Sequence, residues 1–275
     1  MIYKKLIFLC FFFAPTLFLN AHGDLTKRIN IKTNEIKLNP NNPELYFDRG
    51  FLYQQHEEYD KATLDYKKAG ELGFNDKLLD FRKAESYYKW GKHELALTAS
   101  SAYLEKDQND VKINKLHAQI LFELKHFDKS FDHYKFFINT VEDPRPEDYI
   151  EFSLISIAKY NDYNKAIDIL ENGIQKLGNV ISLQLEKLEY YKKSNQVEKA
   201  IEQYNQFILN NKRNEFWYYK KAHYLYENNQ ISQCKIALEQ SKLSISMLKD
   251  KIKNTQAVKE LTKNINNLEK QINHE

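Results

Sequence analysis

Glycine and proline are scarce in this sequence, with 7 and 5 residues among 275 and neither type after Gly178. Both punctuate chains, glycine by reaching left-handed backbone conformations and proline by breaking hydrogen-bond ladders. Their shortage excludes loop-rich and hairpin-rich β folds and favours helices. Cysteine is scarcer still: Cys10 sits in an N-terminal apolar run and Cys234 stands alone beyond it. A chain trimmed of that run has no intramolecular disulfide, even in a compartment that permits one. Net charge is also missing, since 41 basic and 38 acidic residues leave +3, or about +1 without Lys4 and Lys5. That balance gives no footprint for a nucleic-acid partner. No HExxH, paired-Cys or GxSxG arrangement occurs, and the glycines are too scattered for a phosphate loop. These absences predict a chain that is not an enzyme and uses no cofactor and no metal; an enzyme with an undetected site is the third-ranked alternative.

What is present begins with MIYKKLIFLCFFFAPTLFLNAHGDL. A lysine pair, an apolar run over 6–19 and then small residues have the layout of a secretory signal. The segment 1–21 is read as a signal peptide, cleaved after Ala21 or just before Asp24. The expected location is therefore exported: periplasmic, associated with the cell envelope, or secreted. The alternative is an uncleaved anchor, although the run is short of the roughly 20 residues that span a membrane. Cys10, behind Leu9, is too early and wrongly flanked for a lipid-attachment box.

Beyond the signal, small residues recur at Ala62, Ala96, Ser130, Ala166, Ala200 and Cys234, at spacings of 34, 34, 36, 34 and 34. Nine residues before each lies the column Tyr53, Tyr87, Leu121, Ile157, Tyr191 and Leu225. Twelve before lie Gly50, Ala84, Ala118, Leu154, Leu188 and Ala222, and four after lie Tyr66, Ser100, Tyr134, Leu170, Tyr204 and Leu238. A small residue one helical turn from a large one, on each of two helices, describes a hairpin whose backbones approach closely beside filling aromatics. The turn column is Glu57, Gly91, Lys125, Asn161, Asn195 and Asn229, in which glycine and asparagine tolerate a left-handed helix end.

The first unit, PELYFDRGFLYQQHEEYDKATLDYKKAGELG, resembles the tetratricopeptide repeat family at Tyr46, Gly50, Tyr53, Tyr59, Ala62, Tyr66 and Ala69. The resemblance implies an all-α fold, a right-handed superhelical α-solenoid of six helical hairpins at 43–76, 77–110, 111–146, 147–180, 181–214 and 215–248. The family's closing proline is absent from all six, and Asp80, Asn114 and Gln184 occupy its first aromatic column. The extra residues of the third unit fall in EDPRPED, where a bend in the stack is expected. A capping helix is expected at 24–41, with Leu25, Ile29 and Ile36 on one side. The segment 249–275 is read as a C-terminal helix. Its stripe of Val258, Leu261, Ile265, Leu268 and Ile272 either closes the last hairpin or forms a dimerising coiled coil. The pattern lasts about two heptads, so a monomer is favoured over a coiled-coil dimer.

The resemblance further implies that a protein or peptide segment docks on the concave face lined by the first helices of the hairpins. Turning the core stripe by one residue places Phe47, Phe51, Phe81, Tyr88, Lys115, Phe122, Tyr219 and Tyr226 there as partner-binding residues. Glu151, Ile155, Ala158, Leu185, Glu189 and Lys192 make a mixed surface on the same face. The two-basic-residue and asparagine pattern that some members use to hold a terminal carboxylate is missing. His93, His117 and His223 are read as half-exposed surface residues, not ligands. The leading functional expectation is an exported scaffold binding a protein or peptide partner within a cell-envelope complex, with no membrane insertion after cleavage. The alternative is a purely structural assembly component using its edges and C-terminal helix.

Overall fold

The computed structural model describes the backbone of residues 15–274 and the side chains of 24–273. Residues 1–14 of the expected signal lie outside the described residues, as do the side chains of the remainder of that segment. Among the described residues there are fifteen helices and no strand. They form two compact units, Met1–Glu142 and Asp143–Glu275, divided at the head of EDPRPED.

The first unit opens with α1 (Pro15–Leu38) and continues as three hairpins: α2 (Pro43–Gln55) with α3 (Tyr59–Glu71), α4 (Lys77–Lys89) with α5 (His93–Lys106), and α6 (Val111–Glu123) with α7 (Phe127–Thr140). The second has α8 (Pro146–Tyr160) with α9 (Tyr163–Leu177), α10 (Ile181–Lys193) with α11 (Val197–Asn210), and α12 (Glu215–Glu227) with α13 (Ile231–Ser246), then α14 (Asp250–Lys253) and α15 (Gln256–His274). The first helix of each hairpin is called A and the second B. Helix α1 packs on α2 through Ile29 and Ile36. Arg49 fixes it further, donating to both carboxylate oxygens of Asp65 at 2.7 Å and to Thr33 Oγ1 at 3.2 Å, which ties α1, α2 and α3 together.

Punctuation repeats with the packing. Asn42, Asp76 and Asp110 stand 34 residues apart, and each accepts the N–H two residues onward, capping α2, α4 and α6. At the other end of helix A, all six turn residues have positive φ: Glu57, Gly91, Lys125, Asn161, Asn195 and Asn229, between 51° and 76°. In five hairpins the next N–H reaches back to a carbonyl five residues earlier, as from Glu58 to Tyr53 and from Gln230 to Leu225, both at 2.9 Å. This is the Schellman closure, in which a left-handed residue lets two orphan carbonyls be satisfied. Glu57 and Lys125 adopt that conformation despite their Cβ atoms. Relief of about 1–2 kcal/mol of left-handed strain, less about 0.4–1 kcal/mol of added unfolded-state entropy, means that Glu57→Gly and Lys125→Gly are expected to raise stability modestly while Gly91→Ala lowers it; urea midpoints check both directions.

The small column Ala62, Ala96, Ser130, Ala166, Ala200 and Cys234 is fully buried in every hairpin, and the column from Tyr66 to Leu238 four residues onward, large in all but Ser100, is buried too. Gly50 shows why one column must be small: a Cβ there would lie 2.9 Å from the Tyr66 ring. The fourth hairpin departs from this register. Leu154, expected in the core, is exposed, while Ser153 and Ile155 are buried. Ile155 therefore does not belong to the expected docking surface. The cause is the α8–α9 turn, which has two residues where the α2–α3 turn has three, so the facing positions on α8 slip back by one.

The segment 249–275 comprises α14 and α15. They are separated at Asn254 and Thr255, where Thr255 donates through both backbone and side chain to the Ile252 carbonyl. The α15 stripe of Val258, Leu261, Ile265, Leu268 and Ile272 is buried throughout. Its last four members join Ala222, Leu225, Cys234, Ala237 and Leu238 of α12 and α13 in one core.

Candidate functional site

The helix A faces carry the residues expected to bind a partner, and the structure sorts them into distinct surroundings. Phe47 stacks on Phe74 with ring centroids 4.5 Å apart and lies 5.6 Å from the buried Tyr66 ring. Phe81 meets Tyr103 edge-on at 5.9 Å, Tyr88 meets His93 at 5.7 Å, and Phe122 lies 5.6 Å from Phe127. Lys115 holds its ammonium 5.1 Å from the Phe137 ring centre. These side chains are half-buried and engaged with their own hairpins or the next one.

Phe51 has a different role. Its ring lies under the Arg82 guanidinium at 4.5 Å, so a cation–π contact joins α2 to α4. Arg82 in turn donates to Glu85 at 2.7 Å. The Gln54 side chain donates to the same Glu85 oxygen at 3.1 Å and accepts the Tyr66 hydroxyl at 2.7 Å. Burial pushes the Tyr66 phenol well above its ordinary range, so it remains a donor. On its other side Phe51 joins Asp48 and Leu52 in a groove against Arg28, Ile31 and Lys32 of α1.

In the second unit the helix A faces of α10 and α12 enclose a groove of about 310 Å³. Leu185, Leu188, Glu189 and Lys192 line one side, Trp217, Tyr219, Lys220, His223 and Glu227 the other, with Tyr204 between. Trp217 stacks on buried Phe207 at 4.4 Å and carries the Lys220 ammonium 4.5 Å above its own ring. Lys192 pairs with Glu189 at 2.9 Å, and His223 with Glu227 at 3.3 Å. Both Tyr219 and Tyr226 pack against the core of the last hairpin, and of the two Tyr219 lines the groove. Arg82 and Trp217 were not singled out from sequence, and Lys220 beside Lys221 reads there as part of a solvated face. Helical spacing offered a signal, since Trp217 and Lys220 stand one turn apart on the helix carrying Tyr219.

Among the described residues no group of three His, Cys, Asp or Glu side chains is placed to hold a metal. Cys234 is buried, and burial pushes its thiol up, which suits packing and not nucleophilic chemistry. Of the histidines, His223 is exposed but His117 is not: it is buried, bonded through Nδ1 to Ser100 Oγ at 2.8 Å. The repeat places position 117 on the face of α6 turned toward the preceding helix B, not toward solvent.

No protein-family model and no curated protein matches the sequence. Solved structures do. A tetratricopeptide repeat protein from Parabacteroides merdae superposes with a TM-score of 0.56 over 90% of this chain and 95% of its own, at 14% identity. The C-terminal part of a repeat-containing protein of the same kind from Cytophaga hutchinsonii gives 0.63 over 86% and 96%, at 16% identity. YrrB, described as a TPR protein with an unusual peptide-binding site, gives 0.52 over 62% and 86%, at 18% identity. Together with the 34-residue hairpin period and the left-handed turn column, these likenesses establish that the chain has the tetratricopeptide-repeat fold.

Proposed function

We propose that this chain is an exported, non-enzymatic scaffold that docks a segment of a protein partner on its helix A faces, as part of a cell-envelope complex. The groove between α10 and α12 carries this reading. Its Trp217 and Tyr219 rings, its leucines and a rim bearing both charge signs form the composition in which interface anchors concentrate. The peptide-binding site ascribed to YrrB supports a peptide or protein as the partner class. Export rests on the lysine pair, apolar run and small residues of the N-terminal segment. No helix among the described residues is long and apolar enough to cross a membrane. The burial of the α15 stripe supports a monomer over a coiled-coil dimer.

The second reading, a structural component assembled through its edges, draws on one observation: Ile236 and Leu243 of α13 and Met247 at its C-terminal cap lie exposed, two turns and then one turn apart. A photo-crosslinking amino acid placed at Tyr219 or at Ile236, in cells exporting the full chain, separates the two. Adducts to a discrete partner at 219 but not 236 are expected, on a chain whose intact mass shows a start at His22 or Asp24. Adducts confined to 236 would transfer the function to the outer edge, and a retained Met1 would overturn cleavage.

A further inference from the structure

A further cleft, sharing no residue with the helix A grooves, lies on the helix B side of the second and third hairpins. It has a volume of about 550 Å³ and is lined by side chains of α5, α6, α7 and the α5–α6 turn. Its depth is set by two imidazoles, His117 of α6 and His133 of α7, packed edge to face with ring centroids 4.6 Å apart. Their hydrogen bonds fix which nitrogen carries the proton. Asn114 donates its amide to the carbonyls of Gln108 and Asp110 at 2.9 and 2.8 Å, so its Oδ1 accepts from His133 Nδ1 at 2.8 Å. Ser100 donates to the Leu97 carbonyl at 3.0 Å, so its oxygen accepts from His117 Nδ1 at 2.8 Å. Both neutral rings are thus protonated at Nδ1 and keep a lone pair on Nε2.

The bonds of both rings run through Nδ1, with none at Nε2 among the described residues, and both rings line the cleft although His117 is only 7% exposed. The remaining lining has the same bias. Glu105 contributes a carboxylate with no ion-pair partner among the described residues, Asp132 brings a second carboxylate, Leu104 and Phe136 give an apolar wall, and no lysine or arginine is among the lining residues. Burial holds both imidazoles below their ordinary range, which keeps them neutral acceptors at neutral pH.

We infer that this cleft receives a guanidinium side chain from a partner segment. Its planar donors would meet the two Nε2 lone pairs and the Glu105 carboxylate, with its methylene stem along Leu104 and Phe136. A guanidinium fits acceptors spread around a cleft better than a point-like ammonium, because it carries five donors in a fixed plane and is weakly hydrated. The inference does not depend on the helix A grooves, since the cleft shares no residue with them.

The test is a titration of the full chain with the blocked tripeptide acetyl-Gly-Arg-Gly-amide, read by NMR at the His117 and His133 ring resonances, against the same peptide bearing citrulline. Saturable shifts of both rings by the arginine peptide, weakened several-fold by Glu105→Gln and absent with citrulline, are expected. Glu105 is exposed, so its isosteric replacement leaves the fold intact and keeps the comparison valid. Equal shifts from the citrulline peptide, or no saturation with arginine, would overturn the proposal. Saturation by zinc chloride alone, with no response to arginine, would also overturn it and make the imidazole pair a metal site.

Discussion

A chain ending at Leu248 is expected to melt well below the full chain and to lose amide protection first in α12 and α13. Helix α15 covers the open side of the last hairpin. Leu261, Ile265, Leu268 and Ile272 are each buried against residues of α12 and α13, and Val258 is buried at the start of the same stripe. Truncating one such residue, as in Ile265→Ala, costs about 2–5 kcal/mol through lost transfer energy and the cavity left behind. Removing the helix exposes the whole facing surface of the terminal hairpin, including Leu225 and Leu238. Repeat stacks are stabilised by nearest neighbours, so the loss should concentrate in the last hairpin and fade toward α8 and α9. Light scattering should give a monomeric mass for both chains. A dimeric full chain with a monomeric truncation would mean that α15 is a zipper, and an unchanged melting temperature would mean that its burial contributes nothing.

The hairpin core was legible because packing leaves a periodic trace. Ala62, Ala96, Ser130, Ala166, Ala200 and Cys234 lie where two helix backbones touch, and a larger side chain has nowhere to go. The left-handed turn column was only partly legible from residue type, since Glu57 and Lys125 look like ordinary surface residues. Their conformation follows from the hairpin closure imposed around them, not from local preference. The cap column at Asn42, Asp76 and Asp110 was in plain view at the same period and went unread. The slipped register at Leu154 was hidden because the hairpin spacing absorbs a shortened α8–α9 turn, and only the turn's length reveals it.

The docking surface was less legible. Rotating a stripe by one residue finds a helix face but does not say whether a ring on that face is claimed by its own hairpin. Phe47 was drawn onto the Phe74 ring and Lys115 onto Phe137, whereas Phe51 and Tyr219 lie in grooves. Such choices depend on which neighbour is within reach across roughly 20 to 30 residues of sequence. Arg82 illustrates this, because its position on α4 matters only through Phe51 and Glu85. Polar replacements in the first aromatic column looked like weakness in the repeat. Asn114 and Gln184 are in fact buried and bonded to His133 and Gln203 of their own hairpins, exchanging ring packing for directed hydrogen bonds.

That exchange has a consequence in acid. The His117 ring is held neutral by burial, with the His133 ring and Lys129 acting in the same direction, and its pKa falls from an ordinary 6.5 to about 4. The His133 ring is also lowered by burial and by Lys129, with Asp132 opposing. Below pH 6.5 an unfolded chain takes up protons that the folded rings refuse. Stability contributed by the neutral rings is therefore complete above 6.5 and is lost as pH falls toward 4. For His117 alone that window is worth about 3 kcal/mol, because each pH unit between the unfolded and folded values carries about 1.36 kcal/mol. The wild-type urea midpoint should fall steeply between pH 6.5 and 4.5, with α6 and α7 opening first by hydrogen exchange. His117→Gln, uncharged throughout, should start lower at pH 7 through imperfect packing yet decline less over the same interval, so that the two curves converge. Parallel curves would show that the buried imidazole does not set the acid limit.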